Sequence, residues 1–191
     1  TVGGALRILR TSLERLQGIG GLTSIGGELR ISDNGLLTSL VGLNRLTRIP
    51  GDLVLQDDDA LRSLDGLGGV TEIEGRLEVR GHRDLANLRG LGAVRTLTAL
   101  TIEENGARAT LDGLSSLEEV EGEVLVAGHL ALDSLRGLES LETIGGDLNI
   151  VRDWVLDWAA TDPDALTWAH ARLETKHADL ALRICARRRD E

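Results

Sequence analysis

Phenylalanine, tyrosine and methionine are absent from this chain, and its only aromatic residues are Trp154, Trp158 and Trp168. Its core must therefore be aliphatic. Cys185 is the only cysteine, which excludes an intramolecular disulfide and zinc sites built on four cysteines or on two cysteines and two histidines. This thiol falls in a late helical stretch and reads as packed rather than reactive. Basic residues are in short supply: 21 Lys and Arg against 31 Asp and Glu give a formal net charge of -10. That balance speaks against a nucleic-acid backbone as partner and against adsorption to anionic membranes. With only 2 prolines the chain does not read as a linker or a disordered tail. No apolar run approaches the length of a bilayer span, so no membrane insertion by this chain is expected. Phosphate loops, activated cysteines and nucleophile motifs are missing as well. The expectation is a protein that is not an enzyme and uses no cofactor. The chain starts at Thr1-Val2-Gly3-Gly4, in mid-pattern and without a methionine. It reads as a fragment or processed product that has lost a targeting segment, which leaves cell-surface, secreted and cytoplasmic placements open.

What is present is a repeat. Seven segments carry an aliphatic residue, one variable residue and a second aliphatic: Leu6/Ile8, Leu29/Ile31, Leu53/Leu55, Leu77/Val79, Leu100/Ile102, Val124/Val126 and Leu148/Ile150. They recur every 23 or 24 residues. A period of this length predicts a coil of similar windings rather than a globule of unlike pieces. Hydrophobic residues make up 41% of the chain, enough to fill the inside of such a coil with leucine, isoleucine and valine.

Residues 29–52 show one winding. Leu29-Arg30-Ile31 alternates with period two and predicts a short strand with its aliphatic residues inward. Ser32-Asp33-Asn34-Gly35 is a polar corner. Leu37, Leu40, Leu43, Leu46 and Ile49 follow at intervals of three, which resembles a helix stripe. Gly42 interrupts it, and a 24-residue winding must also hold a strand and two corners, so turns, short strands and a 3-10 bend fit better. A glycine recurs after each leucine pair as Gly18, Gly42, Gly66, Gly90, Gly113 and Gly137. Stacked windings would place like residues in register and form parallel sheets along the coil.

The unit, L-x-S-L-x-G-L-x-x-L-x-x-I-G-G-x-L-x-I, stands here as Leu61 to Leu67 and again as Leu132 to Ile150 with Leu138, Leu141, Ile144, Gly145, Gly146 and Leu148. It resembles the receptor L-domain form of the leucine-rich repeat over residues 4–153. That family includes the ligand-binding L domains of insulin-receptor and epidermal-growth-factor-receptor ectodomains and similar repeats in bacterial and fungal surface proteins. The resemblance implies a right-handed parallel β-helix, binding through a sheet face and its adjoining loops, and no catalytic residue. Receptor L domains usually bear cysteines and are secreted; this chain has no disulfide.

Between the inward pairs lies an outward ladder of Arg7, Arg30, Val54, Glu78, Thr101, Leu125 and Asn149, and beside it run Leu9, Ser32, Gln56, Arg80, Glu103, Ala127 and Val151. The first ladder has no aromatic anchor, which speaks against a carbohydrate platform and against a strongly anchored interface there. Arg30, Glu78, Arg80 and Glu103 are the candidates for a polar protein contact, against the plainer reading of a solvated face. The corner position after each strand reads Asn34, Asp58, His82, Asn105, His129 and Asp153, whose plain role is a stacked polar ladder that satisfies backbone groups at the bend. Asp57-Asp58-Asp59 is the densest acid cluster and reads as a solvated run, with a calcium site as the weaker alternative. Residues 103–110 break the pattern. There Arg108 stands where other windings have leucine, as at Leu37 and Leu61, so it joins the binding candidates.

The period stops near Asp153. Asp162-Pro163 is a sound helix start, and Leu166, Ala169, Leu173, Leu180 and Ile184 follow on a helical stripe. Residues 154–191 are therefore expected to form a C-terminal α-helical cap over the open end of a solenoid of residues 1–153. The competing reading makes Trp154 and Trp158 a docking face for another chain. His170, Glu174 and His177 could share a helix face, but the group lacks a fourth ligand, and no metal site is expected. The function expected is a protein-recognition or scaffolding module, part of a longer protein and with a protein partner. The alternatives are a structural or surface spacer without a specific ligand, and self-association, including a homodimer, through the exposed N-terminal turn or the cap.

Overall fold

Alternation of inward aliphatic and outward polar residues produces seven strands, each four residues long: β1 (Leu6–Leu9), β2 (Leu29–Ser32), β4 (Leu53–Gln56), β6 (Leu77–Arg80), β8 (Leu100–Glu103), β10 (Val124–Ala127) and β12 (Leu148–Val151). The structure is a computed structural model and describes residues 1–106, 110–128 and 135–151. The seven strands form one parallel sheet in the order β1-β2-β4-β6-β8-β10-β12. Its register follows the repeat: Leu6 lies against Leu29, Leu29 against Leu53, Leu53 against Leu77 and Leu77 against Leu100. Parallel partners one winding apart are the mark of a β-solenoid.

A second side carries two-residue strands: β3 (Arg48–Ile49) pairs with β5 (Glu72–Ile73), and β7 (Thr96–Leu97), β9 (Glu119–Val120) and β11 (Thr143–Ile144) form a row. Each ends the aliphatic series of its winding and feeds the corner before the next long strand. The third side is turns. Its helical segments are single 3-10 turns at Gln17–Ile19 and Asp65–Leu67. There is no α-helix among the described residues, so the stripe at intervals of three is wound as turns around the core. No described helix is long and apolar enough to cross a membrane. The C-terminal α-helical cap expected over 154–191 lies outside the described residues, and nothing within them supports it.

Stacking makes the interior continuous. Leu37, Leu40, Leu43, Leu46 and Ile49 are fully buried, as are Leu61, Leu64, Leu67 and Val70 in the next winding. At about 25 cal/mol per Å² of apolar surface, each leucine removed from water contributes roughly 2 kcal/mol, and no single winding can bury its own stripe.

The bend after each of the first six long strands repeats to the residue. Arg10, Asp33, Asp57 and Glu104 hold φ between 50° and 58°, and Gly81 and Gly128 occupy the same position at 74° and 71°. A left-handed residue turns the chain so that the next one points into the corner. For an L residue this conformation costs about 1 kcal/mol. Glu104→Gly, at an exposed corner, is therefore expected to leave the chain as stable as wild type or up to about 1 kcal/mol more stable. Urea denaturation checks this, and a loss of stability would show that the glutamate side chain contributes there.

Candidate functional site

The strand period sends two files of side chains outward from the seven-stranded sheet. Parallel pairing sets Arg7, Arg30, Val54, Glu78, Thr101, Leu125 and Asn149 in one file, and Leu9, Ser32, Gln56, Arg80, Glu103 and Ala127 in the other. Neighbouring rungs of such a sheet are about 4.8 Å apart. Arg30, Glu78, Arg80 and Glu103 therefore share one face, and Arg80 and Glu103 are direct register partners.

The charges on this face are tied to one another. Arg7 and Arg30 both reach Glu28, at 2.8 and 3.5 Å, and Arg30 also donates to Gln56 Oε1 at 3.5 Å. Two windings on, Arg76 bridges Asp52 at 3.2 Å and Glu78 at 3.1 Å, and Arg80 approaches Glu78 at 3.6 Å. Glu78 is held between two guanidiniums, and its side chain is only 12% exposed. Val54 sits in register between Arg30 and Glu78 and is fully buried. Each pair at such a surface contributes about 0–1 kcal/mol. Their larger effect is to fix the direction of the charged groups. Arg108, Trp154 and Trp158 lie outside the described residues.

At the corner, Asn34, Asp58 and His82 are fully buried and Asn105 nearly so. They stack as the expected polar ladder. Asn34 Oδ1 accepts from the Thr11 backbone N–H at 3.0 Å and its hydroxyl at 2.7 Å. Asn34 donates through its backbone N–H and Nδ2 to Asp58 Oδ1, at 2.8 and 3.0 Å. The backbone N–H of Asp58 faces His82 Nδ1 at 3.2 Å, and that of His82 donates to Asn105 Oδ1 at 3.2 Å. The acid cluster is thus not one solvated run: Asp57 and Asp59 are exposed and Asp58 is buried, because the left-handed bend at Asp57 turns successive side chains to opposite sides. Asp58 Oδ2 and His82 Nε2 are buried with no hydrogen-bond partner. Burial, with Asp33 and Asp57 nearby, pushes the Asp58 carboxyl up to about 6, although Asn34 pulls the other way. Burial also holds the His82 imidazole below its ordinary value. Among the described residues, no group of three or more His, Cys, Asp or Glu side chains could hold a metal ion. His129, the next corner residue expected, lies outside them.

Among the described residues, the exposed large hydrophobic side chains are Leu9, Leu13, Leu36 and Val41, all in the first two windings. Sequence reasoning did not single them out. Leu13 occupies the inward position of Leu37 and Leu61, yet it is exposed. Compared with protein-family models, with curated proteins and with solved structures, the chain matches none.

Proposed function

We propose that the chain is a protein-recognition or scaffolding module that meets its partner through the outward face around Arg30, Glu78, Arg80 and Glu103. The observation that carries this reading is the pre-oriented network Asp52–Arg76–Glu78–Arg80, spread on a rigid parallel sheet. Side chains already held in direction lose less freedom when a partner binds. Mixed charge at fixed spacing favours a protein surface of complementary pattern and gives specificity more than affinity. Handedness belongs to the same proposal: parallel strands joined by long crossovers wind right-handed in almost all proteins, as the resemblance to receptor L domains implies. So does a cap over the last winding, where Leu141, Ile144, Leu148 and Ile150 are only partly buried.

Charge reversal tests the face. Arg80→Glu together with Glu103→Arg is expected to reduce capture of a partner by immobilised protein at least tenfold, with the circular dichroism spectrum and urea midpoint unchanged. Undiminished capture by the folded double variant would move the binding surface elsewhere. A second reading, self-association, is favoured by the exposed Leu9, Leu13, Leu36 and Val41 of the first two windings. Light scattering separates the two, since only the second predicts a concentration-dependent rise in mass.

A further inference from the structure

The corner ladder asks each of its residues for hydrogen-bond donors. Asn34 supplies them through Nδ2, which donates to the carbonyls of Ile8 and Ser32, both at 3.0 Å. Asn105 Nδ2 donates in the same way to the Val79 carbonyl at 2.9 Å. Ile8 and Val79 are the third residues of β1 and β6, and in each case the asparagine belongs to the following winding. By register, the carbonyl equivalent to these for Asp58 is that of Ile31 in β2. An ionised carboxylate has no hydrogen to offer it. Asp58 Oδ1 is already an acceptor from Asn34, and Oδ2 is buried without a partner.

We propose that Asp58 serves as a protonated rung, its Oδ2 hydroxyl standing in for the amide of Asn34 and Asn105, so that this corner is tight while Asp58 keeps its proton and loosens when it is lost. The groups around it agree. Asn34 lies on one side and His82 on the other, the carboxylates of Asp33 and Asp57 oppose a further negative charge, and Asp59 faces Arg83 at 3.7 Å. Burial then acts oppositely on the two titratable rungs. For Asp58, the folded carboxyl holds its proton up to about 6 against 3.8 for an ordinary one. Its contribution to stability is full below that lower value and is lost as pH rises through the higher one. His82 is favoured neutral when folded. Its contribution is full above its ordinary 6.5 and is lost as pH falls. The two slopes oppose each other. Gln56, which accepts from Arg30 on the outward face, is two residues from Asp58, so a looser corner reaches the proposed binding surface.

Urea midpoints of the full chain between pH 4.5 and 7.5 test this, with Asp58→Asn, His82→Asn and the exposed neighbour Asp57→Asn as variants. Asp58→Asn is expected to raise the folding equilibrium constant at pH 7.5 by up to about a hundredfold, an advantage that shrinks as pH falls. His82→Asn should gain stability on acidification relative to wild type, and Asp57→Asn, which removes one of the opposing carboxylates, should move the Asp58 transition to lower pH. An Asp58→Asn advantage independent of pH, or a loss at pH 7.5, would overturn the proposal. So that the test does not depend on a variant folding, the side-chain carboxyl carbon of Asp58 can be followed by NMR in wild-type protein. A transition centred at about 6 is expected, and one at the ordinary 3.8 would also overturn it.

Discussion

Leu61→Ala is expected to lower the stability of the solenoid by about 3 kcal/mol, and Leu13→Ala by less than about 1 kcal/mol. The two leucines hold the same inward position in different windings. Leu61 is fully buried, between the Leu37 and Leu85 windings, whereas Leu13 is 47% exposed. Truncating Leu61 removes its transfer free energy and leaves a cavity that flat, stacked windings close poorly, since backbone hydrogen bonds between windings, such as Asp84 N–H to the Asp59 carbonyl and Ala86 N–H to the Arg62 carbonyl, hold the turns in place. Truncating Leu13 removes atoms that water already reaches. Urea denaturation followed by circular dichroism measures both. Equal losses would mean that the first winding is packed like the inner ones, and the account of the exposed cluster Leu9, Leu13 and Leu36 would fail with it.

Much of this architecture was legible because the inward pairs admit one arrangement. A shift of one residue in the pairing of Leu29 or Leu77 would turn the aliphatic side chains out and Arg30 or Glu78 in. The sequence offset of 23 or 24 thus became the observed register. The short strands were less legible. Two residues such as Arg48–Ile49 cannot show a period of two, and Ile49 continued the series of Leu37 to Leu46 at intervals of three. The left-handed corner was hidden for another reason. Arg10, Asp33, Asp57 and Glu104 adopt it without being glycine, and only Gly81 and Gly128 carried a sequence mark of the bend.

The repeat period brought Arg30, Glu78, Arg80 and Glu103 into the observed register, but the pairing of the charges was not foreseen. Arg76 lies two residues before Glu78 and one winding after Asp52, an offset of 24. Each relation follows from the strand period or the repeat period once the flanking residues are included with the strand. The buried state of Asp58 was missed within Asp57-Asp58-Asp59 because a run of like charges carries no directional signal, whereas the ladder Asn34, Asp58, His82 and Asn105, taken at the repeat period, does. The two readings of Asp58 conflicted in the sequence, and the geometry favours the ladder.

The repeated glycine after each leucine pair has a steric cause that the first winding isolates. Gly18 and Gly66 sit in matching 3-10 turns, preceded by Leu16 at φ -103°, ψ 18° and Leu64 at φ -98°, ψ 16°. Neither needs a left-handed conformation. A methyl group on Gly66 would strike the backbone of the winding below, overlapping the Leu40 carbonyl and standing 2.7 Å from the Val41 nitrogen. On Gly18 it would meet nothing within 4 Å. Backbone cannot move aside as a side-chain tip can, so Gly66→Ala must push two windings apart and disturb the packing of Leu40, Leu64 and Leu67. The expected cost is about 2–4 kcal/mol. Gly18→Ala is expected to fall within about 0.5 kcal/mol of wild type, or to stabilise slightly by restricting the unfolded chain. Thermal unfolding of the two variants distinguishes them directly. If Gly66→Ala melts with Gly18→Ala, the windings are not in backbone contact at this step, and the close stacking that holds the outward face in register is wrong.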